Sequence, residues 1–191
     1  MHARTNAVSA PAGRALQVAS VIAGSALMAL CAQISIHVPF SPVPITGQTF
    51  AVPLIVALLG TRGATLSLVL YLAEGVAGLP VFAPTLPILP GFLKLFGPTG
   101  GYLVAFPLAA YVTGRLLERG LWPSYAGRVA AIFLGSLVVF AGGAAWLAHY
   151  VGWPLAIATG VVPFILGDVL KTLLAAAVLP WVRARAFARP L

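Results

Sequence analysis

The sequence predicts an all-α integral membrane protein, a bundle of six transmembrane helices with both termini in the cytoplasm. Three observations carry this. First, hydrophobic residues make up 61% of the 191 residues and charged residues 7%. Soluble domains carry about a quarter charged residues, so this chain cannot clothe a globule in polar groups and needs lipid around it. Second, the apolar residues gather into six runs separated by Gly, Pro and basic residues. Third, the basic residues fall into alternate connections, as the positive-inside rule requires.

Taken in order, the runs predict helices over 15–36, 46–60, 64–79, 100–117, 129–151 and 156–181. The first is too long for a signal-peptide core and has no small-residue cleavage site, so it is expected to be retained. The second and third fall short of the roughly 20 residues of a full span. Pro53 lies inside the second, which is therefore expected to kink or to cross only part of the bilayer. Arg4 and Arg14 precede the first helix and Arg62 separates the second from the third. Arg115, Arg119 and Arg128 separate the fourth from the fifth, and Arg183, Arg185 and Arg189 follow the sixth. With six crossings all of these lie inside, leaving Lys94 alone outside and Lys171 within the sixth helix. The chain reads as one transmembrane domain over 1–191, with an N-terminal tail at 1–14 and a basic tail at 183–191.

The formal charge of +8 would suit nucleic acid only if it were gathered into a patch, and it is scattered between apolar runs. Cys31 is the single cysteine, which excludes an intrachain disulfide. His2, His37 and His149 have no metal-ligand spacing. Trp122, Trp146, Trp153 and Trp181 sit near helix ends, as interfacial anchors do.

Asp168 and Lys171 are the only charges in the last apolar run, and the chain has only three acidic residues. Three residues apart on a helix, they project from one face together with Phe164 and Ala175. Buried charge in hydrocarbon is costly, faces the bundle interior and marks a functional site. Two readings fit: a self-satisfied structural ion pair, or recognition of a ligand bearing both N–H donors and a carboxylate. Glu74 lies about 18 Å above Arg62 on the third helix, on a face with Tyr71 and Gly78. Two readings fit it: a meeting with the pair in one outward-facing substrate pocket, or a protonated or interface-reaching side chain of plain structural role. The connections at 36–48 and 79–98 are rich in proline, which suits either covers over a site or ordinary stiff connections. Gly97-Pro98-Thr99-Gly100-Gly101-Tyr102 opens the fourth helix; packing is its plain role, a share in the cavity for Gly100 and Tyr102 the other. Ala15, Ala19 and Ala23 form a small-residue ladder that allows close approach of a helix, within the bundle or from another membrane subunit.

Several strings together are more specific. Ala32-Gln33-Ile34-Ser35-Ile36, then Pro39-Phe40-Ser41-Pro42-Val43-Pro44-Ile45-Thr46-Gly47-Gln48-Thr49, Gly78-Leu79-Pro80-Val81-Phe82-Ala83, Gly97 to Leu103, and Gly167-Asp168-Val169-Leu170-Lys171 occur in that order. The combination resembles the BioY family, the biotin-binding S components of energy-coupling factor (ECF) vitamin transporters. The resemblance implies a six-helix S-component fold in a prokaryotic cell membrane. It also implies biotin held near the outer surface beneath the loop joining helices 1 and 2. Asp168 is then expected at the ureido N–H groups and Lys171 at the valerate carboxylate. Beside these, Glu74, Lys94, Tyr71, Phe164, Thr46, Gln48, Gly100 and Tyr102 are the further candidate substrate-binding positions. Ala15, Ala19 and Ala23 would engage a transmembrane T component. Two ATPase subunits would supply the energy, the chain itself using no metal, cofactor or ATP.

Two features depart from the family pattern. The loop after Phe82-Ala83 reads Pro84 to Pro90 where glycines are expected, and Glu74 stands where an uncharged residue is expected. With Glu74 and Asp168 both ionised, Lys171 alone leaves the site at net −1, poor for an anionic ligand. Either Glu74 is protonated or turned away, or Lys94 enters the site. An S component for another vitamin, a proton-coupled secondary transporter and an intramembrane enzyme using Asp168 or Glu74 are the competing functions. The enzyme has no nucleophile–base pair to support it.

Overall fold

In a computed structural model of the chain, residues 11–85 and 91–186 are described. The outer parts of the two predicted tails and Pro87 and Pro90 lie outside them. The described chain is almost entirely helical. Helix α1 spans Pro11–Gln33. It ends three residues before the predicted boundary because Ser35–Ile36 (β1) pairs antiparallel with Ile45–Thr46 (β2), Ser35 opposite Thr46. This ribbon turns the proline-rich stretch 37–44 into a strap over the end of the bundle. The Gly47 N–H closes its base, donating to the carbonyls of Cys31 and Ile34 at 3.1 Å each.

Helix α2, Gln48–Val76, is two helical arms that meet at Gly60 (φ 68°, ψ 178°), where the backbone leaves the helical conformation and the chain reverses direction. The reversal is proved by a contact: the Gln48 Nε2 donates to the Tyr71 hydroxyl at 3.0 Å. In a straight helix those residues would stand about 35 Å apart. The two predicted short helices are therefore the arms 48–59 and 61–76 of a hairpin, and a single glycine makes the turn. After a loop at 77–85, α3 (Gly91–Phe96) is a short helix that no sequence signal announced. Helix α4 is Gly100–Leu116, followed by a π-helical turn at Leu117–Leu121. Helix α5, Tyr125–Val151, is capped by the Ser124 hydroxyl, which accepts from the Gly127 N–H at 2.9 Å.

The predicted sixth helix is broken into α6 (Trp153–Gly160) and α7 (Val162–Ala186). The cause is Pro163, which offers no N–H to the Thr159 carbonyl four residues back and crowds it. The carbonyls released at the break find other donors: the Ser41 hydroxyl at 2.7 Å on Thr159 and the Tyr102 hydroxyl at 2.8 Å on Gly160. The interruption thus anchors both the strap and α4.

Helix α4 lies between α2 and α5, α1 lies against α2, and α7 packs on α2 and α5. Gly143 on α5 lets the Tyr102 ring lie against its backbone; a Cβ there would fall 2.2 Å from the ring. Leu16, Val18, Ile22 and Leu30 on α1 and Leu166, Leu170 and Leu174 on α7 face outward. Among the described residues four helices, α1, α2, α5 and α7, are long and apolar enough to cross a membrane, α2 counted as one stretch.

The two ends differ. At one, the Glu118 carboxylate on the π-helical turn accepts from the Thr61 hydroxyl at 2.6 Å and the Thr61 N–H at 3.3 Å. Its second oxygen lies 3.5 Å from Arg115. The Thr61 hydroxyl, foremost, holds this carboxyl below the usual range. Arg183 at the end of α7 stacks over Trp122 at 4.5 Å, so Arg62, Arg115 and Arg183 gather at one end. The strap, the 77–85 loop, α3 and the turn at Gly152 occupy the other.

Candidate ligand site

A cavity whose empty space, with its open mouth included, is about 700 Å³ opens beneath the strap. Its floor and one wall come from α7. There Phe164, Asp168, Lys171 and Ala175 face inward at helical spacing while Leu166, Leu170 and Leu174 face out. The first arm of α2 supplies Gln48 and Thr49, α4 supplies Tyr102, Leu103 and Phe106, and α5 supplies Val139 and Phe140. Val43, Pro44 and Thr46 roof it from the strap, and Phe82, Ala83, Thr85 and Lys94 close the outer side.

The charges are arranged for a guest. Asp168 is only 4% exposed, and its Oδ1 has no hydrogen-bond partner. No ion pair joins it to Lys171: among the described residues the one ion pair is Arg115–Glu118. The two charges are thus not closed on each other as an ion pair. The Lys171 ammonium instead donates to the Thr46 carbonyl at 2.7 Å, tying the strap ribbon to α7. An ammonium has three donors, so others remain for an anion. The Lys94 ammonium donates to the Ala83 carbonyl at 2.8 Å, and burial holds it below the ordinary lysine range. With Asp168, Lys171 and Lys94 on its walls, the cavity carries one more positive than negative group when all are ionised.

Of the predicted residues, Asp168, Lys171, Lys94, Phe164, Thr46, Gln48 and Tyr102 line this cavity. Three others are placed elsewhere. Tyr71 is wholly buried behind Gln48. Gly100 packs against the Leu95 carbonyl at the start of α4, where a Cβ would lie 1.8 Å from that oxygen. Glu74 accepts a short hydrogen bond from Ser25 of α1 and is not part of the cavity wall. The expected convergence of Glu74 with Asp168 and Lys171 does not occur, because the long side chain turns to the α1 hydroxyl. The charge problem is resolved twice over: Glu74 is outside and Lys94 is inside. Ala15, Ala19 and Ala23 are exposed along α1.

The aromatic wall of Phe82, Phe106 and Phe140 was not singled out. Phe82 at least fell inside a quoted motif; Phe106 and Phe140 gave no signal, since apolar residues facing a ligand and those facing lipid read alike. The strap is held by three further contacts. Ser41 reaches Thr159, His37 Nε2 lies 2.8 Å from the Pro84 carbonyl, and Gln33 Nε2 fans over the carbonyls of Pro80, Val81 and Phe82 at 3.3–3.5 Å.

A lipid-suited helical bundle with a strapped, amphipathic cavity at one end and basic residues at the other has the makings of a membrane protein that captures small polar molecules. The chain belongs to the BioY family, whose model matches residues 4–188. It is 39% identical over 158 residues to the probable biotin transporter BioY of Pyrococcus horikoshii, covering 83% of this chain and 90% of that one. It is 40% identical over 142 residues to the biotin transporter BioY of Thermotoga maritima, covering 74% and 81%. Its fold matches the crystal structure of the S component for biotin from an ECF-type ABC transporter with a TM-score of 0.78. That match has 26% identity and covers 91% of this chain and 93% of that one. The expected all-α, S-component-type fold is thus borne out.

Proposed function

We propose that this chain is the substrate-binding membrane subunit that captures biotin from outside a prokaryotic cell and delivers it to the cytoplasm. The single observation that carries the reading is the buried Asp168 carboxylate, with an oxygen unpartnered, in one cavity with two ammonium groups and an aromatic wall. Biotin offers matching chemistry: ureido N–H donors, an apolar fused ring and a flexible carboxylate. Asp168 accepts from the ureido N–H groups, Lys171 and Lys94 take the valerate carboxylate, and Phe82, Phe106, Phe140 and Phe164 enclose the ring system.

Six helical rods, with the α2 hairpin counted as two, cross the bilayer. The end bearing Arg62, Arg115 and Arg183 faces the cytoplasm, as do both termini, and the strap faces outside. The chain supplies no energy and needs no cofactor. A T component docks on the α1 face of Ala15, Ala19 and Ala23, where small side chains permit close helix approach, and two ATPase subunits drive delivery. The exposure of those three alanines supports the assignment.

Labelled biotin should bind the purified chain tightly in detergent, with other vitamins failing to compete. Uptake in proteoliposomes should require the T component, both ATPases and ATP. Uptake by the chain alone that collapses with the proton gradient would replace this reading with a secondary transporter. The strap contact gives a kinetic expectation. Ser41→Ala removes the donor to Thr159, so release of pre-bound biotin should quicken about tenfold with little change in association, since affinity changes within one site reside mainly in dissociation. Chase experiments with unlabelled biotin measure this, and an unchanged release rate would mean the strap is not a closure.

A further inference from the structure

Beneath the ligand cavity, between the first arm of α2, α4 and α5, lies a second and smaller void lined by Thr49, Pro53, Thr113, Ser136 and apolar neighbours. It has room for about one water molecule. Thr49 lines both spaces. Its Oγ1 is buried and has no hydrogen-bond partner, as is true of Asp168 Oδ1. Thr49 and Ser136 stand beside the Asp168 carboxyl, and no direct bond closes between the two partnerless oxygens. Pro53, on the same arm, has no N–H to give the Thr49 carbonyl four residues back. Thr113 and Ser136 are buried at 1% and 5% exposure. A buried hydroxyl without a partner on the wall of a water-sized void, with two further buried hydroxyls on the same wall, is the setting in which structural water is held, given two to four polar partners.

We infer that this void is a binding site for a single water molecule, held by the hydroxyls of Thr49, Thr113 and Ser136, which steadies the Asp168 carboxylate from below. The inference rests on the reading of Asp168 as the ligand-holding acid. The water fixes the Thr49 hydroxyl, which lines both spaces and stands beside the carboxyl, and so keeps Asp168 oriented toward the guest's N–H donors. Thr49, Thr113 and Ser136 are then positioning residues acting through Asp168. The packing requirement follows: the void must remain, so replacement by an isosteric apolar side chain removes the hydroxyl without collapsing the wall.

The test is a double-mutant cycle on biotin affinity in the purified full chain. Thr49→Val, which preserves shape, should weaken binding roughly tenfold, the scale of one buried polar group left unsatisfied. Ser136→Ala should act likewise, and Thr49→Ser should restore most of the loss. In the Asp168→Asn background Thr49→Val should change affinity less than twofold, whereas a purely structural role would give the same tenfold loss in both backgrounds. If Asp168→Asn weakens binding while Thr49→Val does not, the water site falls and the cavity reading stands. If Asp168→Asn leaves affinity intact, the cavity reading falls first. Affinity that rises with sodium against choline at constant ionic strength would make the occupant a cation and overturn the proposal.

Discussion

Asp168→Asn is expected to weaken biotin binding by a hundredfold or more. Truncating one partner of a buried, hydrogen-bonded charged contact costs about 2–5 kcal/mol, and each 1.4 kcal/mol or so is tenfold in affinity. Asparagine fits the same space but presents an NH₂ donor where the ligand also donates, so one contact turns repulsive and another loses its charge. Lys171→Ala should also lose affinity, and in a different manner. The ammonium holds the Thr46 carbonyl as well as the anion, so its removal loosens the roof and speeds release. Lys94→Ala should cost about tenfold, because this side chain is only partly buried and its contribution is screened by salt. Equilibrium binding of labelled biotin, with thermal unfolding as the folding control, decides among these. Asp168→Asn with undiminished affinity would detach the acid from the ligand altogether.

Much of this was legible in the chain because membranes punish exceptions. Asp168 and Lys171 stand out only because their surroundings are so apolar, and helical spacing alone put them on the inward face. The same logic misplaced Glu74. Height along a helix was readable, but rotation toward α1 was not, since Ser25 is one of many small residues that could accept a long side chain. The α2 hairpin was anticipated as two short helices around Arg62, yet the turn was expected to take several residues where Gly60 alone suffices. The break at Val161 was missed although Pro163 was in plain view, because the apolar run continued across it. Lys94 entered the cavity through α3, a helix of six residues too short to leave a periodic signature. The water-sized void could not be foreseen: Thr49, Thr113 and Ser136 lie on three different helices and meet only by packing.

Gly60→Ala should lower thermal stability measurably. The backbone there sits at φ 68° and ψ 178°, a region open essentially to glycine and costing about 1–3 kcal/mol for other residues. The nearest atom to an added Cβ is Glu118 Oε1 at 4.0 Å, so the penalty comes from the backbone and not from a clash. For a chain of this length that strain corresponds to a fall of roughly 3–10 °C in Tm, read by thermal unfolding in detergent. Gly120→Ala offers the comparison: its φ of 110° with ψ 2° is also positive, yet it lies in an exposed connection where the backbone can relax. The consequence of Gly60→Ala should reach the ligand. The hairpin brings Gln48 against Tyr71 and sets Thr49 beside Asp168, so a turn that opens by a few degrees shifts the cavity floor. Biotin affinity should therefore fall together with Tm, and added biotin should recover part of the lost stability through linkage. A Tm equal to that of the unaltered chain would show that the two arms of α2 are not held by this glycine.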